Sequence, residues 1–525
     1  MKENEQKLLK LETTPEALEA TVVYLAGRIR PFLQTLEPVL ICFPDEGPAS
    51  LGGLFKEATR RCDAKPVFWG PDYRWKELLR LAFDTHANTI IGPPQVILGL
   101  SKLARATATP LYAYDVIVAG GGVAGVAAAV SAAKHGRSVL LLEKSNILGG
   151  LATLGLVNLF VPMCNGRGKQ IIFGLAEKWL RESALYGFDT IPAQWKDGEP
   201  KEPTTARYVQ RYSPYIFALQ MTEAVCHAGV DLLFDCIASY PDMEGGHCRG
   251  IVTDSKSGLE YYTCGMFVDT TGDADILRRS GMPTVAGENF YSYFGKSITL
   301  DGCRRAVETG DIGNAYGWVS GGGINLYGDN QPDDVPKWSG LTVEEVSDYL
   351  INNQLKMLDN IRGQDRKTRD IAQLTMMPNF RTTCRIDGDY TMTIKGDVYR
   401  HHEDSVCAIN DFDHRDYLYE VPLRALTRRG FDNMITAGRS ASGKGYAWDV
   451  LRVIPPAILT GQAAGEAAVL ALEEGRAIQD VTISTLQKRL EDGNVMIHFP
   501  DEYVPEDRTV IIHGNNMDGH IEGHN

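Results

Sequence analysis

The sequence has no CxxC pair: its ten cysteines, Cys42, Cys62, Cys164, Cys226, Cys236, Cys248, Cys264, Cys303, Cys384 and Cys407, stand singly. That spacing excludes a zinc ribbon, an iron–sulfur run and a redox-active dithiol, so no metal is expected. Basic runs go no further than fragments such as Arg428-Arg429, and the net charge is -14. A footprint for a phosphate backbone is therefore missing, and nucleic acid is not an expected partner. No stretch approaches the roughly 18 uninterrupted apolar residues of a membrane span. The opening MKENEQKLLKLETTPEAL holds no apolar signal core, so a cytoplasmic, membrane-free, bacterial-type soluble enzyme is expected. What is present is ordinary globular material: 525 residues, 44% hydrophobic and 23% charged. A chain of that length exceeds one usual core, so two or three domains are expected.

The most informative stretch is YDVIVAGGGVAG, Tyr114 to Gly125. An apolar strand runs into Gly120-x-Gly122-x-x-Gly125 and then into an Ala-rich helix from Val123 to Lys134. In such a turn the first glycine allows the tight bend, the second lets backbone approach a pyrophosphate, and the third lets helix and strand pack closely. The start of the helix, at Val123 and Ala124, offers unpaired N–H groups to that pyrophosphate. A second strand, Ser138 to Leu142, ends at Glu143-Lys144, at about the 20-residue spacing where a carboxylate holds an adenosine ribose. Glu143 also argues against a 2′-phosphate. The other glycine clusters, Gly321-Gly322-Gly323 and Gly443-Lys444-Gly445, lack the strand–turn–helix frame, so no second dinucleotide module is expected.

Three further segments favour FAD over a nicotinamide cofactor. Gly149-Gly150-Leu151-Ala152-Thr153 lies just past the second strand, where the longer cofactor must cross the sheet and side chains would obstruct backbone approach. The strand Met266 to Thr270 closes on Thr271-Gly272-Asp273. A later strand, Asn433 to Ala437, meets Gly438-Arg439, and after Arg452-Val453 a helix starts at Ile454-Pro455-Pro456-Ala457 and continues through Gly461 and Gly465. The start of that helix suits the flavin pyrimidine edge, where reduction places negative charge.

These segments together resemble the FAD-dependent oxidoreductase family, with its glutathione-reductase-like FAD fold, related to fumarate-reductase-like and heterodisulfide-reductase-subunit-A-like flavoproteins. The resemblance covers residues 113 to 495 and includes RTTCRIDGDYTMTIKGDV from Arg381, Asn410 to His414, and YEVPLRAL from Tyr419. In many relatives two adjacent arginines stand where this chain has Cys384 and Arg385, so a thiol replaces one cation. The resemblance implies an α/β protein with a Rossmann-like FAD-binding domain of the GR2 type. An α+β substrate domain is inserted into it, and a small α/β segment precedes it. The expected boundaries are 1–110 for the N-terminal domain, 111–284 and 376–495 for the two parts of the FAD domain, 285–375 for the inserted cap, and 496–525 for a tail. Val67 to Leu111 is similar to part of the large domain of adenylate-forming ligases but lacks their Ser/Thr/Gly-rich ATP loop. A docking or oligomerisation role fits it better than adenylation.

The expected chemistry is hydride transfer between a small organic substrate and flavin N5, which also calls for a group to handle the accompanying proton. Arg381, Arg385 and Arg452 are the candidates for holding a carboxylate or the flavin O2, because a guanidinium grips a planar carboxylate through two parallel hydrogen bonds. His402 and His414 are the proton-transfer candidates by side-chain type. Tyr446, Trp448 and Asp449 are possible wall residues. Cys164 either faces the flavin as a thiol or packs as a small apolar group. A redox partner that reoxidises the flavin and a homo-oligomer are further expectations. The alternatives are an electron-transfer subunit of a larger complex and a lyase or isomerase using FAD structurally, since fold alone does not name a reaction.

Overall fold

The computed structural model describes residues 112–510 except 326 and 327, together with Val39–Cys42, Glu57, Arg60, Val67–Gly70 and Thr89–Ile91. The chain divides into two compact units, 1–112 with 257–262, and 113–256 with 263–525. In the first unit, Val67–Gly70, Val39–Cys42 and Thr89–Ile91 form a parallel sheet in that order. Parallel pairing is what strands separated by helical stretches imply. Thr14-Pro15 reads as the N-cap and first residue of a helix reaching about Leu36; that stretch, most of the ligase-like segment and the last residues of the tail lie outside the described residues.

The second unit is framed by a seven-stranded sheet. Its strands are β1 (Tyr112–Ala119), β2 (Val139–Leu142), β3 (Asp231–Leu233), β4 (Cys236–Glu244), β5 (His247–Ser255), β6 (Gly258–Asp269) and β7 (Met434–Thr436). Their order is β3-β2-β1-β6-β5-β4, with β7 added on β6. β1, β2 and β3 pair in parallel, as do β6 and β7, while β4 and β5 form an antiparallel hairpin. Val116, Ile117 and Val118 of β1 are wholly buried, as are Leu140 and Leu141 of β2. Continuous apolar runs of this kind suit a parallel sheet covered on both faces.

Helix α1 (Val123–Ala133) carries the chain from β1 to β2. Its alanines favour the helix and keep its surface thin. That thinness matters because α3 (Ile454–Glu474) lies directly against it. A Cβ on Gly461 would fall 2.2 Å from Ala124 O, and one on Gly465 would fall 2.3 Å from Ala128 O. The two helices therefore meet backbone to backbone. α3 starts with prolines in its first turn, where the missing N–H groups cost no helical hydrogen bond, and stops at Gly475. The short helix α2 (Tyr446–Arg452) precedes it at a bend of 73°. No single described helix is long and apolar enough to cross a membrane.

The cap is a three-stranded antiparallel sheet with Ser292–Thr299 in the middle, flanked by Tyr316–Gly323 and Arg369–Leu374. The helix Val343–Arg362, capped by the Thr342 hydroxyl on the Glu345 N–H, has the bounds its sequence pattern predicts. Tyr349 and Met357 of this helix join Tyr293, Trp338 and Phe380 in a buried cluster that is the cap's own core. The sequence places a helix around Val343 to Arg362 and an α+β insertion here, but none of the three strands individually. Residues from 496, read as the start of a tail, instead pack on the unit: Phe499 is buried against Ile171, Ala408 and Leu418.

Candidate functional site

The ends of β1, β6 and β7 and the starts of α1 and α3 converge. Gly120 has φ +101° and donates its N–H to Leu142 O at 2.8 Å, so the chain turns tightly at the strand end. A Cβ on Gly125 would sit 1.9 Å from Gly120 O, which is the close packing assigned to the third glycine. At Gly122 a Cβ would meet nothing within 4 Å. No protein neighbour requires a glycine there, and the open space beside an uncapped helix start suits a pyrophosphate.

Gly149 donates to Gly121 O at 2.8 Å, and a Cβ on Gly150 would lie 3.2 Å from Gly122 Cα. The Gly149–Thr153 turn thus forms a second wall of the same groove, held by Thr153 Oγ1 donating to Leu148 O at 2.6 Å. Leu151 and Ala152 belong to a short helical turn between these ends. Glu143, buried at the end of β2, accepts the Gly121 N–H at 2.6 Å and the Ser145 N–H at 2.7 Å. Its neighbour Lys144 is exposed. On the other side, a Cβ on Gly438 would lie 3.0 Å from Ala124 Cβ and 3.6 Å from Ala457 Cβ. The start of α3, from Val453 through Ile454 and Pro455, therefore opens beside the start of α1, with no side chain capping it.

Several residues read as cofactor contacts also bind one another. Arg439 donates to Gly272 O at 2.9 Å and pairs with Asp273 at 2.8 Å. It also reaches Phe380 O at 3.1 Å, tying this turn to the cap. The turn is held from below by Asp269, which accepts the N–H groups of Thr271, Ile276 and Leu277. Burial pushes the Asp269 carboxyl up to about 6 against those stabilising bonds.

Of the three arginines, Arg452 is neutralised by Asp449, with Nη2 2.6 Å from Oδ1. Arg385, paired across a short ladder with Val285, donates to Ile386 O and Ser442 Oγ and lies 5.6 Å from the Trp448 ring. Arg381 donates through Nη2 to Ser292 Oγ at 3.3 Å, while its buried Nη1 has no hydrogen-bond partner. Burial, and next the Arg452 charge, lower its guanidinium to about 10. Arg381 and Arg452 are thus electrostatic neighbours, and Asp449 compensates them only in part.

His402 is bound up in the wall. Its Nε2 lies 2.8 Å from Asp397 Oδ1, and its N–H donates to the fully buried Glu420 at 2.7 Å. His414 stacks on Tyr417 with centroids 4.6 Å apart, and its backbone N–H donates to Asp411 at 2.8 Å. Tyr446 donates to the same carboxylate, and Trp448 Nε1 donates to Arg439 O. Cys164 is fully buried and accepts the Tyr208 N–H; burial pushes its thiol up, away from a thiolate.

The sequence reading missed a cavity of about 260 Å³ whose wall runs from Asn158 and Arg211 to Lys296, Trp318 and Gln373. No local signal marks it, because Lys296, Trp318 and Gln373 come from three strands that meet only in the fold.

A glycine-lined turn, a buried carboxylate at the next strand end and a second helix start aimed at the same groove define a flavin-binding α/β protein. The chain matches the family described as FAD dependent oxidoreductase over residues 115–335 and 314–490. It belongs to that family: it is an FAD-dependent oxidoreductase, and FAD is its cofactor. It is similar to digeranylgeranylglycerophospholipid reductase 2 of Methanothermobacter thermautotrophicus, at 28% identity over 186 residues, 33% of this chain and 43% of that protein. A vinyl phenol reductase of Lactiplantibacillus plantarum is 62% identical over 37 residues, 7% of this chain and 8% of the relative. The matches therefore span less than half the length of these curated relatives. A solved geranylgeranyl bacteriochlorophyll reductase-like protein of Thermoplasma acidophilum aligns over 75% of this chain and 94% of its own, at 14% identity and a TM-score of 0.33.

Proposed function

We propose that this oxidoreductase transfers a hydride between a small anionic organic substrate and its flavin, with Arg381 as the residue that orients the substrate. The observation that carries this is the buried, unpartnered Nη1 of Arg381 beside a second cation, Arg452. A buried guanidinium lacking one of its bonds is costly, and a carboxylate supplies both the missing acceptor and the missing charge. Bound FAD supplies the two-electron acceptor. Arg452 adds a neighbouring positive charge that its Asp449 partner offsets only in part. The cap reaches this region through Ser292, which accepts from Arg381, and through the Arg439 bridge to Phe380.

Anaerobic photometry of the yellow protein against a panel of small carboxylates tests the reading. Bleaching of the flavin by a carboxylate, but not by the matching alcohol or amide, is expected. Turnover of a substrate with no bleaching in either direction would remove net redox chemistry from the proposal.

A further inference from the structure

The middle cap strand, Ser292–Thr299, places Lys296 opposite Trp318 on one neighbour and Gln373 on the other. Lys296 is only 9% exposed. Its Nζ lies 3.1 Å from the centroid of the Trp318 ring, and among the described residues it has no hydrogen bond or ion pair with a carboxylate. Burying an ammonium without a counter-charge is unfavourable, and a ring face replaces only part of the lost hydration. Arg211, exposed at the edge of the same cavity, likewise has no acid partner among the described residues. Two cations thus face one space of about 260 Å³.

We propose that this cavity binds a planar aromatic monocarboxylate, with Lys296 and Arg211 holding the carboxylate and Trp318 and Tyr316 covering the ring. The aromatic body is argued from those two side chains, which are 50% and 42% exposed on the cavity strand despite their size. The single negative charge is argued from Asp311, an acid in the same wall that would repel a phosphate dianion. Asp311 is already engaged, accepting the Gly313 N–H at 2.8 Å. Burial and the nearby Arg211 charge bring the Lys296 amine down to about 8, as expected for a cation lacking its partner.

The cavity also adjoins the flavin turn. Asn158 in its wall donates to Tyr212 O at 2.6 Å, and the Tyr212 hydroxyl donates to Ala152 O at 3.0 Å, within the Gly149–Thr153 turn. This assignment goes beyond the proposed redox reading, because Arg381 is not among the residues that line the cavity.

Isothermal titration of the oxidised holoenzyme with 2-naphthoate tests it without any turnover. Naphthoate is expected to bind at least about tenfold more tightly than 2-naphthalenemethanol or inorganic phosphate, the order of one charge-assisted contact. Lys296→Met is expected to lose about tenfold or more in naphthoate affinity, and Lys296→Arg to retain most of it, both with unchanged flavin absorbance. Equal affinity for acid and alcohol, equal affinity of wild type and Lys296→Met, or preferred binding of phosphate would each overturn the assignment. Failure here with carboxylates still bleaching the flavin leaves the redox reading standing. Tight naphthoate binding with a flavin that no carboxylate ever reduces removes the redox reading alone.

Discussion

The flavin groove and the cap cavity are built in opposite ways. The groove is made of backbone: Gly120, Gly125 and Gly150 bring main chain close to main chain, and Gly122 borders open space. The cavity is made of side chains from segments far apart in the sequence, with Lys296 between Trp318 and Gln373 and facing Arg211. A backbone site tolerates almost no change at its glycines but recognises a cofactor common to many proteins. A side-chain site can be altered one residue at a time, and the proposed ligand would be selected there.

The largest effect is expected where backbone meets backbone. Gly125→Val places side-chain atoms where even a Cβ lies 1.9 Å from Gly120 O. Flavin absorbance per mole of purified protein is expected to fall to background, with a loss of soluble yield. Gly136→Ala is the control, because φ is +72° there but the Cβ meets nothing within 4 Å. It is expected to cost about 1–2 kcal/mol of stability, the strain of a left-handed residue, and to leave the protein yellow. A yellow Gly125→Val protein would show that the groove is not set by backbone contact.

Beside Arg452, ahead of α3, Arg381→Met removes the buried guanidinium whose Nη1 is unpartnered. The rate of flavin reduction by a carboxylate substrate is expected to drop by about 10²–10³, the range for one oriented charged donor at a reacting centre. Bound flavin is expected to remain. A parallel loss of flavin would place Arg381 in the cofactor site instead.

The contrast between the regions also explains what the sequence disclosed. β1, the turn, α1, β2 and Glu143 were legible because each lies within a few residues of the next and each glycine answers a local steric demand. The helix Val343–Arg362 was legible as a long helical stretch, and the structure adds its Thr342 cap. The cap sheet was not, because Tyr316–Gly323 ends in three glycines and its partners lie tens of residues away, so no local alternation marks the pairing. Lys296 looks like any surface lysine until Trp318 and Gln373 are set beside it. The arginines were named by residue type, but only packing separates Arg452, which has Asp449, from Arg381, which has no such partner.

A smaller change is expected at the adenosine end. Glu143→Gln keeps an acceptor for one of the two N–H groups that the carboxylate now serves, those of Gly121 and Ser145. It loses the charge and sets an amide NH₂ against the other. Titration of FAD into the stripped protein is expected to show affinity weakened by about tenfold, or about 1.4 kcal/mol. No change would mean that the groove holds the cofactor through backbone alone.

The mildest effect is one of pH, and it belongs to the cavity alone. Burial lowers the Lys296 amine to about 8, and the charged groups facing it are Arg211 and Asp311. The amine is charged below that value and neutral above it, so carboxylate affinity is expected to be constant at lower pH and to fall as pH rises through about 8. Half the sites are charged at the midpoint, so the loss there is about twofold, approaching tenfold one unit higher. In Lys296→Arg the fall is expected to vanish, because a guanidinium keeps its proton throughout this window. FAD affinity, set by backbone and Glu143, is expected to stay flat across the same range in both proteins. A matching fall in FAD binding would mean that the two regions share a titrating group and are not the separate sites their construction implies.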